Sequence, residues 1–215
     1  MDHNSKFNYS TDDYPWLQHF ENLYGISPIS ELHKYYAMPN GSPFANDSSS
    51  LLHKIFYSNF EQSFKGLYLD FLRNEIYPLI KQGFYYQKIP CVRFGLPNHS
   101  WLSRFHTDNE YNHPKEELNI NLAITHSMGT AALQIQNIAK NGYDPLTQNY
   151  GEFTFIDHIN RLHGSVNNNE GYTLVSLDFR IIKLEDSESA FTEKQSINIS
   201  KRFQPGSYFS GKPIN

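Results

Sequence analysis

The apolar residues between positions 52 and 79 recur every three, four or eight residues, and the charged residues lie largely off that stripe. This spacing predicts a helix with one apolar face, formed by Leu52, Phe56, Phe60, Phe64, Leu67, Phe71 and Leu79. The Asn-Asp-Ser-Ser-Ser run before it offers N-cap residues, and Gly83 marks its end. A one-sided helix of this length needs a surface to cover, so we expect it to pack on the outer face of a β-sheet.

From residue 84 the pattern changes to short apolar runs separated by turn-rich segments, which is typical of strands. The predicted strands are Tyr85–Val92, Leu118–Ile124, Ala132–Ile135, Gly151–Ile156 and Tyr172–Ile182. The 15 Tyr and 16 Phe also favour strand-rich packing over a helical bundle. We therefore predict a mainly β fold with flanking helices, and more specifically a double-stranded β-helix, the cupin-like jelly roll.

A chain of 215 residues fits one domain. We predict that residues 1–83 form a helical N-terminal segment that covers and supports the core. Its first 50 residues are polar and interrupted by prolines, and they could close the mouth of a site. Residues 84–186 form the predicted jelly-roll core, and 187–215 a loosely held C-terminal extension. The prolines are Pro15, Pro28, Pro39 and Pro43, and the residues that could dock the extension are Phe203, Tyr208 and Phe209.

The net charge of −4, with scattered Lys and Arg, predicts no nucleic-acid partner. A single cysteine, Cys91, excludes an intramolecular disulfide framework and favours a reducing compartment. The start of the chain lacks the pattern of a secretory signal, and no apolar run approaches the length of a membrane span. We expect a cytoplasmic protein that acts on a small molecule away from membranes, and the sequence leaves its oligomeric state open.

His106 and Asp108 are separated by one residue, and a further histidine, His163, lies far downstream. This is the spacing of a facial triad. Two imidazoles and one carboxylate occupy one face of an octahedral Fe(II) and leave three positions open, which suggests an oxygen-activating iron enzyme. Residues i and i+2 of an extended strand share a face, so the first two donors can reach one ion. Each histidine alone is a weak signal, because most histidines satisfy a local hydrogen bond.

His158 competes with His163 for the distal ligand position, although its neighbours favour a role that orients the ligands. Asp157 and Asn160 are candidates for the same orienting role. Gly164 would let the backbone pass close to an ion.

Strand alternation places Ser176, Asp178 and Arg180 on one face of the last predicted strand. A solvated Asp–Arg pair on an edge strand is the plainer interpretation, and such a pair stabilises a protein little. The alternative is a polar row that faces a barrel interior, where Arg180 would bind a buried carboxylate of a dicarboxylic cosubstrate. Its position one strand after a candidate ligand favours the second interpretation.

Several stretches with this chemistry keep their order along the chain: His106-Thr107-Asp108-Asn109-Glu110-Tyr111-Asn112-His113-Pro114, Glu117-Leu118-Asn119-Ile120-Asn121-Leu122-Ala123-Ile124-Thr125, Gly129-Thr130, Tyr150-Gly151-Glu152, Leu162-His163-Gly164 and Ser176-Leu177-Asp178-Phe179-Arg180. Together they resemble the Fe(II)/2-oxoglutarate-dependent oxygenase superfamily. They are most similar to the bacterial branch named after a streptomycin-biosynthesis protein, which is related to the phytanoyl-CoA hydroxylases. The resemblance covers roughly residues 85–183.

The resemblance implies a double-stranded β-helix in which His106, Asp108 and His163 hold Fe(II). It also implies 2-oxoglutarate as cosubstrate, chelating the iron and reaching Arg180 with its far carboxylate, and O2 as the oxidant. Polar contacts to the cosubstrate would come from Thr130, Asn119 and Ser176. The sequence departs from the relatives where Asn121 and Ala123 replace aromatic and proline residues, and the loop before Arg180 is long.

The function implied is hydroxylation of a small polar metabolite, such as a sugar or an amino acid, with release of succinate and CO2. A carboxylate at position 108 favours hydroxylation over halogenation, since a halide would need that iron position vacant. A cupin-like metal-binding isomerase or a non-catalytic small-molecule binding protein is the alternative. A zinc hydrolase could use the same donors, but the sequence shows no well-placed general base beside them.

Overall fold

Antiparallel strands dominate the computed structural model, which describes residues 5–36, 50–102, 104–191, 195–197 and 201–215. The strands are β1 (Lys6–Asn8), β2 (Phe84–Tyr86), β3 (Cys91–Gly95), β4 (Leu118–Ala123), β5 (Gln134–Gln136), β6 (Tyr143–Pro145), β7 (Glu152–Ile156), β8 (His163–Gly164) and β9 (Leu174–Lys183). The large sheet has the order β1-β7-β4-β9-β2, with β3 also paired to β9, and the small sheet has the order β6-β5-β8. The prediction of a mainly β fold with flanking helices is confirmed at this level.

The α-helices are α1 (Trp16–Tyr24), α2 (Leu51–Ser63), α3 (Lys65–Phe71), α4 (Tyr77–Ile80) and α5 (Ser187–Ala190). Short 3-10 helices cover Ile29–Lys34, Asp108–Tyr111 and Leu184–Asp186. No helix in the described part of the chain combines the length and the apolarity that a bilayer crossing requires.

The single long helix of the prediction is instead a succession of α2, α3, a π-turn at Leu72–Ile76, and α4. The Ser50 side chain caps the start by accepting from the backbone N–H of His53. The π-turn lies just before Pro78, which has no N–H to donate to the preceding turn. The run ends at Lys81, which takes the left-handed conformation with φ 58°, two residues before Gly83.

The apolar stripe of these helices covers one face of the large sheet, as the periodicity predicts. The Phe71 ring lies 5.4 Å from Phe153 on β7 and 6.4 Å from Phe179 on β9, measured between ring centroids. The Phe20 ring on α1 stacks on Phe56 at 5.6 Å, so the first helix joins the same cluster. Buried aromatic pairs of this kind contribute about 0.5–1.5 kcal/mol each beyond their apolar area. This layer is the main core.

Several short strands differ from the sequence prediction. The predicted run Tyr85–Val92 is two strands, β2 and β3, separated by a segment that ends at Pro90, which cannot donate to a strand ladder. β6 lies where we expected only a turn, and β1 was not predicted. β1 and β6 have three residues each, so a period of two had too few positions to show. β1 pairs with β7, which is far along the chain, while β6 pairs with the nearby β5.

The C-terminal residues 201–215 pack against the sheet, so the prediction of a loosely held extension is wrong for this part, while the docking residues it named are buried. Phe203, Tyr208 and Phe209 form an apolar cluster with Ile182 and Ala190. Residues 37–49, with two of the prolines expected to lie near a site mouth, fall outside the described residues, as does most of the predicted N-cap run.

Candidate metal centre

His106, Asp108 and His163 converge, with one ligand atom from each within 4.8 Å of the other two. The Oδ1 atom of Asp108 lies 3.8 Å from Nε2 of His106 and 3.4 Å from Nε2 of His163. The backbone fixes this approach, because His106 and His163 exchange two N–H···O=C hydrogen bonds of 3.0 and 2.9 Å. Their side chains therefore project side by side, with ring centroids 4.5 Å apart.

Both imidazoles are oriented by the carbonyl two residues before them. Nδ1 of His106 lies 3.0 Å from the Arg104 carbonyl oxygen, and Nδ1 of His163 lies 3.0 Å from that of Arg161. A carbonyl oxygen only accepts, so each Nδ1 must carry the proton and donate it. The lone pairs are then on the Nε2 atoms, which are the atoms nearest the carboxylate. This is the tautomer that a metal ligand requires.

Asp108 is held by its backbone and by one of its two oxygens. Its N–H donates to the carbonyl oxygen of His158 at 2.8 Å, and a capping box between Thr107 and Glu110 starts the 3-10 helix that follows. Its Oδ2 accepts from Arg180 Nη2 at 2.7 Å and from Nε at 3.3 Å. Oδ1, the other oxygen, faces the two imidazoles.

Burial alone would raise the pKa of Asp108, but the Arg180 guanidinium and the neighbouring imidazoles outweigh it and hold this pKa well below its usual value. Burial, followed by the nearby His163, lowers the pKa of His106. Metal ligands bind in their deprotonated forms. Both shifts favour an ionised carboxylate and a neutral imidazole, which is the state that accepts a divalent cation.

Arg180, the residue expected to bind the far cosubstrate carboxylate, is surrounded by acceptors. Burial would lower its pKa, but Tyr208, Asp108 and Asp178 raise it well above the usual value. Nη1 donates to Gln87 Oε1, Asp178 Oδ2 and Tyr208 Oη, each at 3.3 Å, while Nε lies 3.4 Å from Glu117 Oε2 in addition to its contact with Asp108. The side chain lies on the inner face, as strand alternation predicts.

The other residues expected to contact the cosubstrate lie in different places. Ser176 is buried on β9, opposite Arg93 of β3. Asn119 is buried on β4, and its amide lies 2.6 Å from Nδ1 of His158. Thr130 lies outside the cavity, where its hydroxyl and N–H donate to the Glu170 carboxylate.

His158 lines the same cavity but is not one of the three converging donors. Its ring stacks on His163 at 4.2 Å with an interplanar angle of 15°, and its Nε2 has no hydrogen-bond partner in the described structure. Burial, and then the charge of His163, holds the pKa of His158 well below its usual value. Asp157 and Asn160 bond to each other and not to the donors.

The structure explains the glycine at position 164 differently from the sequence analysis. A Cβ at this position would lie 2.7 Å from the Phe105 ring, so the glycine makes room for an aromatic side chain and not for an ion.

A cavity of about 130 Å³ adjoins the three donors and lies between the two sheets. Its apolar wall comes from Trp101, Leu102 and Leu133, and its polar wall comes from the inner face of the large sheet. Arg93, Cys91 and Tyr57 also line it, and the sequence analysis named none of them as a site residue. The predicted strand ends at Val92, one residue before Arg93, whereas β3 continues to Gly95. The sequence prediction therefore did not assign Arg93 to a face of the sheet.

A second group, Asp108, His113 and Glu117, also has ligand atoms within 4.8 Å. It shares Asp108 with the first group, and Arg180 Nε already lies 3.4 Å from Glu117 Oε2. His113 Nδ1 lies 2.8 Å from the same oxygen. A guanidinium therefore occupies the position of a cation between these carboxylates, so the first group alone is the candidate metal site.

No family model matches the chain. The chain is 28% identical over 166 residues to the streptomycin biosynthesis protein StrG of Streptomyces griseus, an alignment that covers 76% of this chain and 77% of StrG. Among solved structures it is similar to EctD from S. alaskensis with bound Fe, with a TM-score of 0.55, 13% identity, and coverage of 86% of this chain and 74% of EctD. The EctD structure with 2-oxoglutarate and 5-hydroxyectoine gives a TM-score of 0.55 at 14% identity, covering 95% and 77%. The resemblance stated from the sequence is thus confirmed: the chain is similar in sequence to StrG and shares the fold of EctD, a protein crystallised with iron and with 2-oxoglutarate.

Proposed function

We propose that this protein is a non-haem Fe(II)- and 2-oxoglutarate-dependent oxygenase. The observation that carries the proposal is the convergence of His106, Asp108 and His163 on one point beside an internal cavity. The fold that the chain shares with EctD supports it, because EctD was crystallised with both Fe and 2-oxoglutarate. In this proposal the two facing sheets are the halves of a double-stranded β-helix.

The residues present fit ferrous iron. Two neutral imidazoles and one ionised carboxylate form a facial set that leaves open positions for a bidentate keto acid and for O2. The Nε2 lone pairs are fixed by the Nδ1 hydrogen bonds, and Asp108 offers Oδ1 while Arg180 holds Oδ2. One carboxylate oxygen is therefore available to the metal and the other is already neutralised.

When bound, Fe(II) and 2-oxoglutarate supply the reduction of O2 and the decarboxylation to succinate and CO2 that together oxidise a C–H bond. The chain orients and shields this chemistry. Trp101, Leu102 and Leu133 exclude water on one side of the cavity. The opposite wall of charged groups keeps the Asp108 carboxylate ionised and in place. Because Asp108 would fill the third protein ligand position of a bound iron, we propose hydroxylation and not halogenation.

We propose a small polar substrate, such as a sugar, an amino acid or a derivative of one, converted in the cytoplasm. Asn121 and Asp178 support this choice, because they present an amide and a carboxylate to the cavity. Both are buried, and a substrate with hydroxyl or amino groups would hydrogen-bond to the Asn121 amide, beside the Asp178 carboxylate that Arg93 and Arg180 already hold. A cupin-like isomerase or binding protein is the alternative, and it would need neither O2 nor a keto acid.

Anaerobic addition of Fe(II) and 2-oxoglutarate tests the proposal directly. We expect a weak visible charge-transfer band that His163→Ala abolishes, with metal affinity lowered at least about a hundredfold because a direct ligand is lost. His158→Ala is the matched variant, and it should keep the band. A band that survives His163→Ala but not His158→Ala would assign the distal ligand to His158. Absence of any band with the wild type would favour the alternative function.

Substrate screening then tests the reaction itself. Small metabolites are added with Fe(II), 2-oxoglutarate and O2, and succinate release is measured. A substrate should raise the release above the uncoupled background, and an Asp108→Ala variant should show neither. Turnover of a metabolite without O2 or 2-oxoglutarate would contradict the oxygenase assignment.

A further inference from the structure

The partners of Arg180 leave little of its guanidinium for another carboxylate. A guanidinium has five N–H donors in a fixed planar fork. Nε and Nη2 both donate to Asp108 Oδ2, and Nη1 has three acceptors within 3.3 Å. A bidentate contact with a cosubstrate would therefore require breaking the contact that fixes the metal-ligand carboxylate. Arg180 therefore holds the carboxylate of Asp108, the proposed metal ligand.

A second arginine faces the same cavity from the neighbouring strand. Arg93 on β3 lies opposite Ser176 of β9, and its inward neighbour Cys91 lies opposite Asp178. The Arg93 side chain lines the cavity and is 18% exposed, against 6% for Arg180. His106, Asp108 and His163 line the same cavity as Arg93. Arg93 is paired with Asp178 through Nε and Nη2, but its side chain is more exposed than that of Arg180 and lines the cavity beside the donors.

Asp178 fixes the orientation of Arg93. Its Oδ1 accepts from Arg93 Nε at 2.8 Å, and its Oδ2 accepts from Arg93 Nη2 at 3.3 Å. The same Oδ2 accepts from Arg180 Nη1 at 3.3 Å. Charges of alternating sign therefore run from the cavity wall to the metal ligand, in the order Arg93, Asp178, Arg180 and Asp108. This row pre-orients both guanidinium groups before any ligand enters.

We propose that Arg93 binds the far carboxylate of the keto-acid cosubstrate, and that Arg180 is a positioning residue for Asp108. Ser176, which the sequence analysis expected to contact the cosubstrate, is the residue directly opposite Arg93. Side chains so placed on antiparallel strands lie about 5 Å apart at Cβ, although Ser176 itself is not among the residues that line the cavity. The inference rests on the proposed function. It moves the residue that binds the far carboxylate from β9 to β3.

Two keto acids separate the two roles. 2-Oxoglutarate and 2-oxopentanoate have the same five-carbon skeleton, but only the first has a carboxylate at its far end. Their affinities for the Fe(II)-loaded protein are measured anaerobically from the charge-transfer band. The wild type should prefer 2-oxoglutarate. Arg93→Gln should weaken 2-oxoglutarate binding about tenfold to a hundredfold, since a charge-assisted bond is lost, and leave 2-oxopentanoate binding within about threefold.

Arg180→Gln should instead weaken Fe(II) binding and both keto acids together, keeping the ratio of their affinities. Arg93→Lys keeps the charge without the fork and should restore part of the preference, which guards against misreading a folding defect. Arg73→Gln, which removes an exposed surface arginine paired with Asp70, is the matched control and should behave as the wild type.

Three results would overturn the assignment of Arg93. They are an unchanged keto-acid ratio in Arg93→Gln, a ratio abolished by Arg180→Gln alone, and a wild type with no preference between the two acids. Failure of the iron-loaded wild type to bind either acid would overturn the proposed function together with this inference, so the two failures are distinguishable.

Discussion

The two faces of the large sheet are similarly buried from solvent, but their side chains differ in chemistry. The outer face carries Phe153 and Phe179 against the aromatic stripe of α2 and α3. The inner face, on the same strands, carries Asp178 and Arg180, which are as deeply buried. Alternation along β9 places a core residue and a charged residue next to each other in sequence and on opposite sides of the sheet.

This contrast shows how one strand can serve stability and chemistry at the same time. Apolar contacts are non-directional, so the outer face gains stability from area and packing. A buried charge is tolerated only when it is paired and hydrogen-bonded, so the inner face is ordered by specific partners. We expect substitutions on the outer face to change the free energy of unfolding, and substitutions on the inner face to change ligand affinity.

The largest expected effect is a loss of stability in the helical layer that covers the outer face. Phe56→Ala should lower the free energy of unfolding by about 3–5 kcal/mol, because it removes a fully buried ring that stacks on Phe20. Urea unfolding measures this loss. Tyr35→Ala is the control, since Tyr35 is 70% exposed and its removal should change stability by no more than about 0.5 kcal/mol.

The same Phe56→Ala variant should bind metal with the wild-type affinity once the folded fraction is taken into account. Metal affinity measured under stabilising conditions tests this. A tenfold fall in affinity would show that the two faces are coupled, and the comparison would then fail.

A pH effect of intermediate size is expected from His53, which lies where α2 meets β3. Burial, followed by the charge of Arg93, lowers the pKa of His53 to about 4. In the unfolded chain the imidazole takes up a proton below about pH 6.5, while in the folded chain it stays neutral down to about pH 4. Protons then favour the unfolded state, so stability falls as the pH decreases through this window.

At pH 5 the loss due to His53 amounts to about 2 kcal/mol relative to pH 7.5. His53→Gln cannot take up this proton, so its stability should fall less than that of the wild type between the two pH values. Chemical denaturation at both pH values gives the difference. Equal losses in the two proteins would show that His53 does not contribute to acid sensitivity.

How much the sequence could predict depended on how many residues carried each signal. The aromatic stripe of α2 and α3 spans several turns, so its period and its target surface were predicted, although the breaks at Phe64 and before Pro78 were not. β1 has three residues and exists because it pairs with β7. A strand of that length has no detectable period, so only the folded chain defines it.

At the site, residue types and order were sufficient to nominate His106, Asp108 and His163. The partners of Arg180 could not be predicted, because Asp108 lies 72 residues away in sequence and starts a 3-10 helix outside the paired strands. Only the folded chain brings the two residues together. Strand alternation correctly places Arg180 inward but does not determine which anion it meets. Arg93 was missed for a local reason: the predicted strand stopped one residue before it.

The smallest expected effect tests whether the C-terminal segment belongs to the inner face. Tyr208 is buried among the docking aromatics, and its hydroxyl accepts from Arg180 Nη1 at 3.3 Å. Tyr208→Phe keeps the ring and removes one acceptor, so we expect a loss of about 1 kcal/mol in the free energy of unfolding. Because Gln87 and Asp178 still accept from the same nitrogen, Arg180 should stay against Asp108, and metal affinity should change by less than about threefold. A larger fall in metal affinity than in stability would mean that the tail holds the charged row in place. The inner face would then be completed by residues from outside the two sheets.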